Sequence, residues 1–252
     1  ILNFLTRPVI SKAAGRILDS KSSKLLIPVF VRKNHIDTWD LIVPEGGFPS
    51  FNAFFSRERE NDEIKVGQEN LICPCDGFLS LIPMKEQTIF NMKHTKFSLG
   101  GLLQDKKAAE LFRDGYALIF RLTPSHYHRY LYAANGKIKF QKSIKGILHC
   151  VRPLATEKIP VYIQNARKYQ IIRTKEYGDI LQMEVGAMLV GKIQNHPICD
   201  RNVKAGQEKG FFEYGGSTII LLLQKDKVKL KDWVYEAENG EISVRQGTVL
   251  AE

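Results

Sequence analysis

The sequence predicts an α+β protein with a mainly β core of mixed or antiparallel strands and a helical amino-terminal lobe. Three features point there. From Arg129 onward turn signals recur every several residues, at Asn135-Gly136, Lys145-Gly146, Tyr177-Gly178, Gly186, Gly191, Lys209-Gly210 and Asn239-Gly240, a spacing that suits short strands joined by turns. The run from Ser217 to Leu223 is apolar, carries β-branched residues and ends at Gln224-Lys225-Asp226-Lys227, so it reads as a buried strand rather than a helix. Near the start of the chain, Val9, Ile10, Ala13 and Ile17 gather on one side of a helix that would begin at Thr6-Arg7-Pro8 and run to about Asp19.

Taken in order, Lys12 and Arg16 fall at the edge of that helix, where their stems can lie along apolar surface and their charges stay wet. Leu25 to Val31 is apolar but interrupted by Pro28, which makes it a short continuation of the helical lobe. Ser50 or Asn52 caps a short segment carrying Phe54, Phe55 and Arg57. A polar, Glu-rich link from Arg59 to Asn70 then divides a lobe of residues 1–60 from a β-rich unit of residues 61–252. Leu71-Ile72-Cys73 and Gly77 to Pro83 read as strands on either side of Pro74. One helix opens at Ser98 and continues through Ala108, Ala109, Leu111 and Phe112, and Tyr116 to Leu122 is apolar enough for a central strand.

Composition narrows the classes of function. An apolar fraction of 44% and a charged fraction of 25% over 252 residues are those of a globular chain with one substantial core. Cys73, Cys75, Cys150 and Cys199 form neither a disulfide framework nor a set at zinc spacing, so reduced thiols in a cytosolic protein and no metal are expected. No segment approaches the roughly 20 apolar residues of a membrane span. The opening residues do not resemble a signal peptide, and a start at Ile1 rather than Met leaves room for a short leader. Of the net charge of +10, the first 35 residues supply seven bases against the single acid Asp19. That basic end lacks the interleaved aromatics of a nucleic-acid surface and alternates with apolar residues instead, as suits a peripheral surface on anionic lipid.

The candidate chemistry centres on Gly215-Gly216-Ser217-Thr218, where a flexible turn meets a rigid strand. Glycine lets the backbone strain and a side chain crowd the Gly216 carbonyl, and Oγ of Ser217 is the nucleophile nearest to it. Attack would move the acyl group from nitrogen to oxygen; β-elimination of the ester leaves dehydroalanine, and hydrolysis leaves a pyruvoyl group. A serine hydroxyl needs a base, and a histidine oriented by a carboxylate is a common one. Asp76, at a strand end between Pro74 and Gly77, is a candidate carboxylate, although an Asx turn would also account for it. His126 and His128 are the candidate imidazoles, and in an extended segment both would point to one face. His35, His94, His149 and His196 occur singly and carry no such suggestion.

Several motifs stand together. Phe54-Phe55-Ser56-Arg57, Cys75-Asp76-Gly77, Pro124-Ser125-His126-Tyr127-His128-Arg129, the stretch Val185 to Ile193, and Gly210-Phe211-Phe212 lead in order to the Gly-Gly-Ser-Thr site. In sequence and order they resemble the phosphatidylserine decarboxylase family, from about Leu5 to the last strands. The resemblance implies a self-processing proenzyme cut between Gly216 and Ser217 into a large chain, 1–216, and a small chain, 217–252, that remain associated. It implies that Ser217 becomes a pyruvoyl group forming a Schiff base with the amine of phosphatidylserine, with Asp76 in the self-cleavage relay and His128 as proton donor or relay base. The products would be phosphatidylethanolamine and CO2, made at the cytoplasmic face of the cell membrane. A homodimer is left open.

One departure matters. The family pattern has Asp-Tyr-His-Arg followed two residues later by a second histidine, the one usually given to the relay; here those positions hold His126 and Leu131. Three readings follow, in order of preference: His126 or His128 deprotonates Ser217; cleavage proceeds slowly through strain and an oxyanion-stabilising backbone; or the chain stays uncut as a non-catalytic anionic-lipid-binding homologue. A serine hydrolase built from Asp76, His128 and Ser217 is a further alternative, but Ser217 lacks a Gly-x-Ser-x-Gly elbow.

Overall fold

The computed structural model describes residues 15–60, 67, 69–84, 89–92, 95–146, 161–186, 193–215 and 217–252. The predicted helix start at Thr6-Arg7-Pro8, the candidate turn at Gly191, Cys150, His94, His149 and Gly216 lie outside them.

Burial along the strands builds the core. Gly77–Pro83 buries alternate residues, as a strand with one covered face does. Asp179–Gly186 and Ser217–Leu223 bury every residue, the pattern of strands covered on both faces. These strands belong to an eight-stranded sheet in the order Asn202–Val203, Gly136–Ile144, Arg167–Arg173, Asp179–Gly186, Ser217–Leu223, Tyr116–Leu122, Gly77–Pro83 and Ile242–Val244. Every neighbouring pair is antiparallel. The Ser217–Leu223 strand is therefore interior, with Ser217 opposite Gly186 on one side and Leu122 on the other.

Side chains alternate across that strand, and each face has its own core. Ile219, Leu221 and Leu223 pack with Tyr130, Phe212 and Ile193 from a second sheet, ordered Ile193–Asn195, Glu208–Phe212 and Arg129–Leu131. Ile220 and Leu222 pack on the other face with Leu102, Leu103 and Phe112. Ser217 shares the first face, so it lies at the mouth of the layer between the two sheets.

The amino-terminal lobe is mainly helical. Residues 15–19 are helical, Lys21–Leu26 is a 3-10 turn and Ile27–Asn34 is an α-helix with Pro28 in its first turn. Ser50 caps the short helix Phe51–Phe55 by accepting from Ala53 N at 3.2 Å. A two-stranded ladder, Leu41–Ile42 with Glu58–Arg59, closes the lobe. Pro83 ends its strand and Tyr116–Leu122 is central, as the sequence implies.

Two sequence expectations are corrected. The single helix from Ser98 to Phe112 is two, Leu99–Leu103 and Lys106–Leu111. Gln104 adopts a left-handed conformation and Asp105 caps the second helix by accepting from Ala108 N at 3.0 Å, a local bond that outweighs the apolar period. Lys209-Gly210 is not a turn but lies inside the Glu208–Phe212 strand. A Cβ on Gly210 would come within 1.9 Å of the Gln194 carbonyl oxygen, so this glycine permits close backbone approach.

Candidate active site

Ser217 occupies the first position of its strand because the residues after it are apolar and the two before it are glycines. Gly215 has φ of 145°, a conformation that any side chain would oppose, and this lets the chain turn sharply into the sheet. The result is a fully buried hydroxyl, and Ser217 Oγ has no hydrogen-bond partner among the described residues. A buried polar atom left unpaired costs about 1–3 kcal/mol, so it is retained for a reason other than stability.

His128 is also fully buried. The segment leading to it is not extended, because His126 N donates to Thr123 O at 3.0 Å and closes a turn. The two imidazoles therefore have separate surroundings. His126 turns back so that its Nδ1 accepts from Thr123 N at 2.9 Å, and its ring packs edge-on against Phe78. His128 lies over Phe55 with ring centroids 4.0 Å apart, and its Nδ1 donates to the His126 carbonyl at 2.9 Å. That bond assigns the ring proton to Nδ1 and leaves Nε2 as a lone pair, also without a partner. Burial, reinforced by the positive field of Arg57, brings the His128 pKa from 6.5 to about 3. The Gly215 backbone opposes that fall only in part. His128 is therefore a neutral imidazole with a free acceptor nitrogen. His126 is lowered too, again chiefly by burial, with Asp76 pulling the other way.

Asp76 sits immediately before Gly77–Pro83, at a strand end as its flanking residues imply. Its carboxylate accepts from Arg59 Nη1 at 3.1 Å and from Gln246 N at 2.9 Å. Asp76 acts on His126 and His126 on His128 through their charges, but no hydrogen bond links Asp76 to Ser217 in a relay among the described residues. Leu131 is buried, with its N–H on Pro74 O and its carbonyl on Gln182 Nε2, so an apolar side chain fills the position where the family pattern has its second histidine.

The amino-terminal lobe completes the site, which sequence reasoning did not anticipate. Tyr214 packs edge-on against Phe51 at 5.0 Å, Phe55 at 5.1 Å and Phe30 at 6.1 Å. Such aromatic pairs contribute about 0.5–1.5 kcal/mol each beyond their buried area. Asn52 Oδ1 accepts from Tyr214 N at 3.3 Å while its amide donates to Asp19 at 2.8 Å. The lobe is thus fastened to the segment just ahead of Ser217. Arg57 ends this lobe almost wholly buried, and the available signal was the Phe-Phe-Ser-Arg run itself. Beneath the site, Lys209 and Glu184 form a fully buried ion pair, which Asn195 joins through a bond to Glu184.

A family model described as phosphatidylserine decarboxylase matches residues 51–252. A protein named phosphatidylserine decarboxylase proenzyme 2, from Clostridium acetobutylicum, is 34% identical over 253 residues, covering 99% of this chain and 86% of its own. The phosphatidylserine decarboxylase proenzyme of Clostridium tetani is 38% identical over 231 residues, covering 90% and 78%. That of Fusobacterium nucleatum is 35% identical over 243 residues, covering 95% and 81%.

Proposed function

The chain belongs to the phosphatidylserine decarboxylase family, a family of lyases, and on that premise we propose that it cuts itself between Gly216 and Ser217 and then converts phosphatidylserine to phosphatidylethanolamine and CO2. The observation that carries this reading is the fully buried, unpartnered Ser217 Oγ beside the turn at Gly215.

In the cleavage step Ser217 Oγ bonds to the Gly216 carbonyl carbon and the peptide C–N bond breaks, leaving an ester and a free amine. Loss of the Ser217 α-proton with the carboxylate of Gly216 gives dehydroalanine, and water releases ammonia to leave the keto group. The base that receives the hydroxyl proton must be neutral, and His128 meets that condition above about pH 3, with Nε2 free to accept. Its weak basicity makes the transfer uphill and slow, which suffices for an event that happens once per chain. His126 is the alternative base. Asp76 acts at longer range, favouring a protonated imidazole at His126 through its charge.

The residues fit a pyruvoyl group at position 217, because Ser217 is fully buried with its hydroxyl unpartnered, and the Gly215 backbone just ahead of it acts on His128, whose Nε2 is also unpartnered. When present, that group supplies a keto carbonyl for the substrate amine and an electron sink as CO2 leaves. His128 is then the group to return a proton to the substrate carbon, once Nε2 has taken one up from water. Water is kept out by Phe55 and Tyr214. The two pieces stay together because Ser217–Leu223 is paired along both edges.

Residues 1–60 form a peripheral lipid-facing lobe, with 61–252 as the catalytic unit, at the cytoplasmic face of the membrane. Support comes from Ile17, Leu25, Val29 and Trp39, which are 66–77% exposed on the lobe that also carries Arg16, Lys21, Lys24, Arg32 and Lys33. Among the described residues no helix is long and apolar enough to cross a membrane.

Intact mass measurement of the denatured protein beside a Ser217→Ala control tests the reading. Two fragments meeting at Gly216 and Ser217 are expected, the 36-residue one with a blocked keto-bearing start, followed by CO2 release from phosphatidylserine. A single chain in both samples would sink self-cleavage and point to Leu131 as the place where the relay was lost.

A further inference from the structure

Arg57 is 2% exposed, yet its Nε and Nη1 have no hydrogen-bond partner among the described residues. The backbone around it is fixed: Arg57 N donates to Phe54 O at 3.2 Å, and the Arg57 carbonyl accepts from Arg129 Nε at 3.2 Å. The guanidinium rests over the Phe54 ring, 5.1 Å from its centroid. A buried arginine ordinarily satisfies its fork on a carboxylate. The nearby carboxylates Asp76 and Asp40 are both held by Arg59, at 3.1 Å and 3.6 Å. A positive charge is thus kept in a low-dielectric pocket beside His128, two residues from the ring that stacks on that imidazole, with two donors idle.

Resting on the decarboxylase reading above, we propose that Arg57 is a subsite for the phosphodiester of the lipid headgroup, received by its unpartnered guanidinium donors, and that it distinguishes a phospholipid from a free amino acid. The phosphodiester is preferred over the carboxylate on chemical grounds. The carboxylate loses its charge as CO2 forms, so a cation on it would hold the ground state more tightly than the transition state. The phosphodiester keeps its charge throughout, and its oxygens can accept from donors on more than one edge of the guanidinium. An anion there would also cancel the positive field that opposes protonation of His128.

The test is calorimetric binding to the full chain as purified, with its state of cleavage read by intact mass on the same samples. Glycerophosphoethanolamine carries the phosphodiester and amine without a carboxylate; O-methylserine carries the amine and carboxylate without a phosphate. Arg57→Met is expected to weaken the first about tenfold to a hundredfold, the range for lost charge-assisted hydrogen bonds, and to change the second less than about twofold. Arg57→Lys should fall between wild type and Arg57→Met, and removal of an uncompensated buried cation should leave the Tm no lower. Unchanged glycerophosphoethanolamine binding, equal loss of O-methylserine, or no binding to the unsubstituted protein overturns the assignment. A fall in Tm in Arg57→Met with intact binding in Arg57→Lys marks a structural residue and overturns it also. An uncut chain overturns self-cleavage alone, because the binding comparison is still read.

Discussion

Replacing His128 with leucine should flatten part of the pH dependence of stability. In the folded protein burial and Arg57 hold this imidazole at about 3, against 6.5 in an unfolded chain. Above 6.5 both states are neutral and the group contributes nothing. Between 6.5 and 3 the unfolded state binds a proton that the folded state refuses, so stability is lost as pH falls through that window. The loss is bounded at about 1.4 kcal/mol per pH unit and comes to about 2 kcal/mol on going from pH 7.5 to pH 5. Urea denaturation of Ser217→Ala and of Ser217→Ala/His128→Leu, each at the two pH values, isolates it. The shared serine substitution keeps the chain in one piece, and other titrating groups cancel in the comparison. The double variant should lose about 2 kcal/mol less than the single. Equal losses would mean that the imidazole is not held neutral, and the case for Nε2 as a free proton acceptor would fall with it.

Two further outcomes are expected. Lys209→Met leaves Glu184 buried without its partner and should cost about 3–5 kcal/mol in urea or thermal unfolding, whereas Lys209→Met/Glu184→Leu should recover most of it; a single variant as stable as wild type would show that the pair is not buried as described. Leu25→Ser/Trp39→Ser removes two exposed apolar side chains from the basic lobe and should weaken co-sedimentation with anionic vesicles at least about tenfold. Undiminished binding would move the membrane surface elsewhere on the protein.

Some of the site was legible in residues alone. Glycines ahead of an apolar β-branched run placed Ser217 at a turn-to-strand junction, because an interior strand buried on both faces leaves a continuous apolar run in the sequence. Local capping was legible at Ser50. Between Ser98 and Phe112 the apolar period obscured the break that Asp105 imposes. Gly210 misled for a different reason: a glycine needed for a turn and one needed for close approach look the same in sequence, and only the Gln194 carbonyl across the sheet distinguishes them.

Partner choice was the least legible feature. The sequence placed Asp76 at a strand end, but Arg59 and Gln246, which engage it, are 17 and 170 residues away. It supplied two histidines two residues apart, and the turn at Thr123–His126 then gave them different neighbours. Apart from its place in the Phe-Phe-Ser-Arg run, the burial of Arg57 without an ion-pair partner left no trace, since arginine reads as surface unless the elements around it close. By itself, then, the sequence determined the mainly β core, the family, and the junction that presents Ser217, because these depend on local conformational preference and short motifs. Tertiary structure alone decided which imidazole is neutral and unpartnered, which carboxylate is already occupied, and that the amino-terminal aromatics cover the site, because burial and charge pairing are set by residues distant in the chain.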